Sequence, residues 1–167
     1  LYVISDFALH HAPCTIDAMQ HIPDDLYRQI HASMPIPCAD AVICHDKRVL
    51  LCKRTNNPAK GPYWFPGGRV LKDETLREAV MRKVREETGL EVTIEENLGV
   101  DETIFPDGPF GGPTHTINVV FAVTPTSTAI PASIDTQHSE MRWFDETELN
   151  SLHPYIQTYA QRALKLV

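Results

Sequence analysis

The stretch GGRVLKDETLREAVMRKVREETGL, residues 67–90, decides the fold, and it holds five carboxylates and six basic side chains in 24 positions. Leu76, Val80 and Val84 recur at every fourth residue, which predicts a helix from Thr75 to Thr88 with one apolar face. A helix this rich in charge is typical of a solvated surface, so charge alone indicates no site. The position of the acids relative to the apolar face has to distinguish a solvated helix from a site.

The acids near the end of this helix lie on one side of it. At about 100° per residue, Lys83, Glu86 and Glu87 fall within a narrow arc, and Glu87 borders the apolar face. A carboxylate at the border of a core is costly unless it is paired or binds a cation. Arg82 is four residues from both Glu78 and Glu86 and can pair with either. On periodicity alone, a salt-bridged surface helix and a cation site both stay open.

The residues before the helix favour the cation site. Gly67 and Gly68 permit a tight turn whose backbone carbonyl can face the helix, and Glu74 stands at the helix start. A backbone carbonyl with one or two carboxylates is the oxygen-rich shell that Mg2+ or Mn2+ takes beside substrate phosphates. We therefore expect a divalent-metal site here, with Mg2+ as the first choice.

Composition argues against several classes of protein. With 167 residues, 43% of them hydrophobic, the chain fits one globular domain with a core of its own. It has no apolar run near the length of a membrane span and no evident signal peptide, so we expect a cytoplasmic protein without a membrane partner. The net charge of -7 argues against nucleic acid as the main partner. An anionic substrate would then need a metal or a few well-placed arginines.

The four cysteines contain no Cys-x-x-Cys pair. We expect Cys14, Cys38, Cys44 and Cys52 to be reduced and mostly buried. The alternative, zinc bound by the last three of them together with His45, does not match a known ligand spacing.

Around the central helix, the pattern predicts an irregular alternation of strands and helices. Helices are expected at 23–35 with Asp24 as the cap, from 145–148 onward, and at 153–167. Strands are expected on both sides of a turn at 45–48, at 90–105, at 114–124 and at 139–144, with loops at 55–68 and 106–113. Hairpins among alternating elements favour an α/β (α+β) fold, a mixed sheet packed between helices, over a doubly wound parallel sheet.

The central stretch also matches a family signature. The chain resembles the Nudix hydrolases, whose fixed positions are matched here by Gly68, Glu74, Arg82, Val84, Glu86, Glu87, Gly89 and Leu90. Lys83 is the one departure, because the family usually has a glutamate at that position. The preceding YWFPGG, residues 63–68, is also typical of the family. The resemblance implies the Nudix fold, an α/β/α sandwich around a mixed β-sheet, over essentially the whole chain.

One subgroup of that family, the GDP-mannose mannosyl hydrolases, departs from the signature at the same position. Residues 53–76, KRTNNPAKGPYWFPGGRVLKDETL, and residues 137–143, QHSEMRW, are similar to that subgroup. The resemblance implies that the backbone carbonyl of Gly67, Glu87 and Gln137 hold the metal, with Glu87 the first candidate.

The same resemblance implies the chemistry. His138 would act as general base on a water that attacks the anomeric carbon of the sugar, since a neutral imidazole with a pKa of about 6.5 accepts a proton at neutral pH. Arg54 and Arg69 would contact the diphosphate leaving group, which makes Arg69 a catalytic candidate as well. Lys83 cannot bind a metal while protonated and repels a second cation, which implies fewer metal ions than usual. Glu86 favours the opposite conclusion, because that subgroup can lack an acid at this position. Glu86 therefore stays a candidate metal ligand, and attack on phosphorus stays open.

The resemblance implies a Nudix hydrolase domain at 35–167 and an N-terminal extension at 1–34, which in that subgroup helps to form a homodimer. The leading hypothesis is a Mg2+-dependent hydrolase of a nucleotide sugar of the GDP-mannose type, releasing sugar and nucleoside diphosphate. The first alternative is a pyrophosphatase that cleaves the phosphoanhydride of ADP-ribose or another nucleoside diphosphate derivative. The second is a catalytically silent, nucleotide-binding member of the family.

Overall fold

The computed structural model describes residues 22–127 and 138–166, and of His138 the backbone alone. These residues form four helices, α1 (Asp24–Ser33), α2 (Leu76–Thr88), α3 (Glu146–Leu149) and α4 (Pro154–Leu164). They also form seven strands, β1 (Ile36–His45), β2 (Arg48–Arg54), β3 (Tyr63–Trp64), β4 (Gly67–Arg69), β5 (Val92–Phe105), β6 (Thr114–Pro125) and β7 (His138–Phe144). None of the helices in the described ranges is long and apolar enough to cross a membrane.

The seven strands form one mixed sheet. Its main path runs β3-β2-β1-β6-β5, while β4 pairs with β1 and β7 pairs with β2. β1 and β6 are parallel, and every other pair is antiparallel. The predicted mixed sheet is confirmed, and so is the predicted hairpin, since β1 and β2 meet at Asp46 and Lys47, whose positive φ angles suit a tight two-residue turn.

Two clusters of buried apolar side chains cover the two faces of the sheet. Successive residues of β1 alternate between them, as expected of side chains that point to opposite faces of a strand. Ile156 and Ala160 of α4 belong to the first cluster, and Val80 and Val84 of α2 belong to the second. The result is the predicted α/β/α arrangement, with α2 on one side of the sheet and α4 on the other.

Both ends of α2 are fixed by local chemistry. The Thr75 side chain accepts a hydrogen bond from the Glu78 N–H, and the Glu78 carboxylate accepts one from the Thr75 N–H, which completes a capping box. At the other end, Gly89 adopts a left-handed conformation with φ 69°, which glycine reaches without a steric penalty. The helix predicted at 75–88 is therefore confirmed, with Thr75 as its cap.

Three details of the sequence prediction are wrong. Leu76, expected on the apolar face of α2, is 40% exposed, because it is the first residue of the helix and precedes the turns that pack on the sheet. Pro23 precedes α1 as its cap residue, and Asp24 is already helical. The segment at 55–68, expected to be a loop, contains β3 and the start of β4, two strands too short to show periodicity. Elsewhere, the predicted strands and the capped start of α3 at Asp145 are confirmed.

The cysteine prediction is confirmed where the structure describes it. Cys38, Cys44 and Cys52 are buried thiols on the two strands of the hairpin. Burial raises the pKa of the Cys38 and Cys44 thiols to about 12, which keeps them protonated and unreactive at neutral pH. Cys14 lies outside the described residues.

Replacing Thr75 by alanine should destabilise the protein, because the first turn of α2 loses its cap. We expect a loss of about 1 kcal/mol in the free energy of unfolding, and a melting temperature lower by about 2–4 °C. Thermal unfolding of the Thr75→Ala variant measures this change. Thr75→Ser keeps the capping hydroxyl and is the control, so equal losses in the two variants would contradict a capping role.

Candidate active site

A cavity of about 540 Å³ lies beside α2, over the face of the sheet that also carries the α4 cluster. Its walls come from α1, α2, β4 and the segment between β2 and β3. Its floor comes from β1, β5 and β6. The cavity therefore collects residues spread along the chain from Ile22 to Asn118.

The acids of α2 do converge on this cavity. Glu87 is only 3% exposed, and its two carboxylate oxygens have different partners. Oε1 lies 2.7 Å from Lys83 Nζ, and Oε2 accepts a 3.1 Å hydrogen bond from the Gly67 N–H. Lys83 Nζ also lies 3.1 Å from Glu86 Oε2. Lys83, Glu86 and Glu87 thus form one ion-paired group, as their common arc on the helix predicts.

Lys83 stays charged in this position. Burial lowers the pKa of Lys83, but Glu87 and Glu86 raise it by more, so the pKa of Lys83 lies above its ordinary value. The ammonium therefore remains next to the two carboxylates at neutral pH. It is a cation attached to the protein at the place where the family signature would bring a third acid.

Arg82 connects the start of the cavity wall to the helix. Its guanidinium binds both carboxylate oxygens of Glu74, at 2.6 and 2.9 Å, and also pairs with Glu86 at 3.1 Å. It donates a further bond to the Arg69 carbonyl, while the Leu71 N–H donates to Glu74. The predicted pairing of Arg82 with Glu86 is confirmed, and Glu74 is held as a structural acid in the turn that leads into α2.

Asp40 was missed by the sequence interpretation. It lies on β1, is 6% exposed, and accepts a 2.7 Å hydrogen bond from the Tyr155 hydroxyl of α4. Burial raises the pKa of Asp40 to about 7, against the Tyr155 hydrogen bond, and the nearby Glu87 carboxylate adds to the rise. The one signal in the sequence is that Asp40 is the only acid in the apolar run IPCADAVICH.

The approach of Asp40 explains why position 67 is glycine. A Cβ added to Gly67 would lie 2.3 Å from Asp40 Oδ1 and 2.7 Å from the Ala39 carbonyl oxygen. No side chain fits there. Gly67 thus allows β4 to bring its backbone against the two buried acids, Asp40 and Glu87.

The two predicted substrate arginines line the same cavity from different strands. Arg54, at the end of β2, donates from Nε to the Pro58 carbonyl at 2.7 Å. Arg69, at the end of β4, places its guanidinium 4.8 Å from the centre of the Tyr27 ring of α1. The structure therefore brings Arg54 and Arg69 together with Gly67, Glu86 and Glu87, five of the seven predicted site residues.

The other two predicted residues are Gln137 and His138. Gln137 lies outside the described residues, and so does the side chain of His138. The backbone of His138 begins β7 and pairs with Arg54 of β2. Its predicted role as general base stays a prediction, but the start of β7 lies next to an arginine of the cavity.

The chemistry of these donors fits one divalent cation. Within 22–127 and 138–166, no three side chains of His, Cys, Asp or Glu are grouped so that they could hold a metal. The buried Glu87 carboxylate nevertheless lies against the Gly67 backbone, whose N–H donates to it, and the Glu87 charge is close enough to help raise the pKa of the buried Asp40. Oxygen ligands of this type suit Mg2+ when water or phosphate completes the shell. Lys83 already supplies the positive charge that a second ion would bring.

Comparison with known proteins bears on the family and the fold. The NUDIX domain model matches residues 34–166. The low-salt glycan biosynthesis protein Agl8 of Haloferax volcanii is 40% identical over 140 residues, which are 83% of this chain and 88% of that protein. An ADP-ribose pyrophosphatase of Methanocaldococcus jannaschii is 38% identical over 118 residues, 71% of this chain and 66% of that protein. Among solved structures, a MutT protein of Methanosarcina mazei Go1 is similar in fold, with a TM-score of 0.62 at 23% identity, over 80% of this chain and 96% of that one.

The raised pKa of Asp40 predicts a pH-dependent gain in stability when its charge is removed. In the unfolded chain the carboxyl has its ordinary pKa of 3.8, so the buried carboxylate costs stability above pH 7, and the cost falls as the pH drops towards 4. Without divalent metal, Asp40→Asn should raise the melting temperature by roughly 2–6 °C at pH 8. The gain should be clearly smaller at pH 5. Melting curves of the wild type and Asp40→Asn at both pH values measure this gain. An equal gain at pH 8 and pH 5 would contradict a raised pKa of Asp40.

Proposed function

This chain belongs to the Nudix hydrolase family, and from that premise we propose that it is a Mg2+-dependent hydrolase of nucleotide sugars of the GDP-mannose type. It releases the sugar and a nucleoside diphosphate. The observation that carries this proposal is the ion pair of Lys83 with Glu87 and Glu86 inside the cavity. A lysine at this place removes an acid that could bind metal or accept a proton, so the general base has to come from another element.

The proposed ligands of the metal are the Gly67 carbonyl, Glu87 and Gln137. Glu86 stays a candidate for a second ion, but its side chain is 46% exposed, whereas Glu87 is buried beside the Gly67 backbone, which favours Glu87. When bound, the metal neutralises phosphate charge and so stabilises the departing diphosphate. This assignment uses the buried acid of α2 and the backbone that its carboxylate already contacts.

The remaining steps use residues of this chain. Arg54 and Arg69 bind the diphosphate, and their charge stabilises the negative charge that develops on it. His138 accepts a proton from water while the water oxygen forms a bond to the anomeric carbon. The bond from that carbon to the phosphate oxygen breaks, and the nucleoside diphosphate leaves with the electron pair. The pairing of Arg54 with the first residue of β7 supports this arrangement, because it brings the backbone of the base next to a phosphate-binding side chain.

Two alternatives have their own support. Glu86 is retained, and one relative at 38% identity is an ADP-ribose pyrophosphatase, which supports cleavage of a phosphoanhydride. A silent nucleotide-binding protein would also have the cavity, but it would not require a buried, charged acid such as Glu87.

The Agl8 relative, a glycan biosynthesis protein, supports a sugar-linked substrate. A cytoplasmic location, and a homodimer formed with the help of residues 1–34, complete the proposal.

Hydrolysis in water labelled with oxygen-18 separates these functions. The protein is incubated with Mg2+ and a panel of nucleotide sugars and ADP-ribose, and the products are analysed by mass spectrometry. We expect the label in the free sugar, because attack on carbon leaves the added oxygen there. Label in a phosphate would contradict attack on carbon and support the pyrophosphatase. Binding without turnover of any substrate would support the silent protein.

The number of bound metal ions should depend on Lys83. With the ammonium in place we expect one Mn2+ per chain, counted by electron paramagnetic resonance of the unbound ion. Lys83→Glu should bind at least one more Mn2+, because it adds a carboxylate beside Glu86 and Glu87 and removes a positive charge. Lys83→Met removes the charge without adding a ligand and should tighten the first site only. Equal counts in the wild type and Lys83→Glu would contradict this role.

A further inference from the structure

The floor of the cavity contains a group of uncharged polar side chains outside the ionic site. On β6, Thr114, Thr116 and Asn118 alternate along the strand and so point to the same face of the sheet. Thr116 pairs with Thr103 of β5, and all four side chains line the cavity. We call these four residues the hydroxyl floor.

Three side chains of the hydroxyl floor are buried, Thr116 is half-buried, and the group is not fully bonded. Thr103 Oγ1 and Thr116 Oγ1 lie 2.7 Å apart, and Asn118 Nδ2 donates to Thr103 Oγ1 at 3.3 Å. Thr114 is 2% exposed, and its Oγ1 has no hydrogen-bond partner among the described residues. A buried hydroxyl without a partner is costly, and it is rare unless a ligand or water completes it. Because Thr114 lines the cavity, a polar ligand at this end is one group that would complete its hydroxyl.

The cavity is divided by charge. Lys83, Glu87 and the two arginines lie at the end near β4 and α2, where a diphosphate with its metal finds compensation. The hydroxyl floor carries no charge, and Phe105 lies beside it, paired with Thr114 across β5 and β6. Phosphate is bound best by charged donors. Neutral hydroxyl and amide groups next to an aromatic ring suit an uncharged, hydroxyl-bearing ring system.

We propose that the hydroxyl floor binds the nucleoside part of the substrate, with the ribose hydroxyls bonded to Thr103, Thr116 and Asn118. The base then lies towards Thr114 and Phe105, which pair across β5 and β6 and line the same cavity. This inference rests on the proposed function, because that function places the reacting sugar carbon at the start of β7.

The order of strands in the sheet favours the nucleoside over the sugar on this floor. β7 pairs with β2, and β1 lies between β2 and the strands of the floor, β6 and β5. At about 4.8 Å between neighbouring strands, the start of β7 and the Thr103–Thr116 pair are separated by more than 10 Å. A diphosphate held near β1 and β4 spans such a gap, so the two ends of the substrate occupy opposite sides of β1.

Calorimetric titration with nucleoside diphosphates tests the inference. Guanosine, adenosine and uridine diphosphates are compared in the presence of Mg2+, and the tightest is then compared with its 2′,3′-dideoxy analogue. The wild type should bind the ribose form roughly 10-fold more tightly, because each ribose hydroxyl adds a hydrogen bond to a buried polar group. The double variant Thr103→Val/Thr116→Val should lose this preference. Its affinity for inorganic pyrophosphate should stay unchanged.

The same two strands supply a matched control. Thr93 of β5 pairs with Thr124 of β6 outside the cavity, so Thr93→Val/Thr124→Val makes the same chemical change there. This control should keep the preference for ribose. Replacing both members of the Thr103–Thr116 pair avoids leaving one hydroxyl of that pair orphaned, and melting curves check that each variant is folded.

Three results would overturn the inference. In the first, Thr103→Val/Thr116→Val keeps the preference for ribose. In the second, the wild type binds the ribose and dideoxy diphosphates equally well. In the third, the double variant weakens binding of a nucleotide sugar but not of the nucleoside diphosphate. The last would place the sugar on the hydroxyl floor. Because these are binding measurements, they hold even if no nucleotide sugar is hydrolysed, so failure of the proposed function is distinguishable from failure of this inference.

Discussion

The buried carboxylate of Glu87 is the constraint on which the site depends. A buried charge is tolerated only when it is paired and hydrogen-bonded, and here Lys83 meets one oxygen and the Gly67 N–H meets the other. The bond to Gly67 fixes α2 against β4, and β4 pairs with β1, which brings Asp40 against the same glycine. One carboxylate thus sets the relative positions of helix, turn and sheet around the cavity.

Some charged side chains of residues 67–90 stabilise the turn before α2, and others line the cavity. Arg82 and Glu74 form a two-bond ion pair that ties the turn before α2 to the helix, and both side chains are largely removed from solvent. Lys83 and Glu87 lie further along the same helix and line the cavity. A short stretch of sequence therefore supplies both the rigid support and the groups that it positions, which is how a site on an α-helix keeps its geometry.

The sequence predicts what depends on neighbours along the chain. Helix α2 and its caps, the hairpin turn at Asp46 and Lys47 and the common arc of Lys83, Glu86 and Glu87 all follow from residues a few positions apart. Asp40 could not be assigned in this way, because its role depends on Tyr155, 115 residues away. β3 and β4 have two and three residues, too few to show a periodic pattern in the sequence. Their places in the sheet are fixed instead by pairing with β2 and β1. The Nudix signature identified the family, while the proposed roles of Gln137 and His138 rest on the resemblance, to which the structure adds the pairing of the His138 backbone with Arg54.

Lys83 changes what the site can do more than how it is built. An ammonium attached to the helix compensates the acids permanently, and, unlike a metal ion, it cannot hold and activate a water molecule. Attack on phosphorus by a water activated on the helix is therefore less favoured, because the ammonium replaces a group that could hold the activating metal. The positive charge that stabilises a departing diphosphate is kept. The proposed displacement at the sugar carbon needs only that positive charge, because its base comes from a different element.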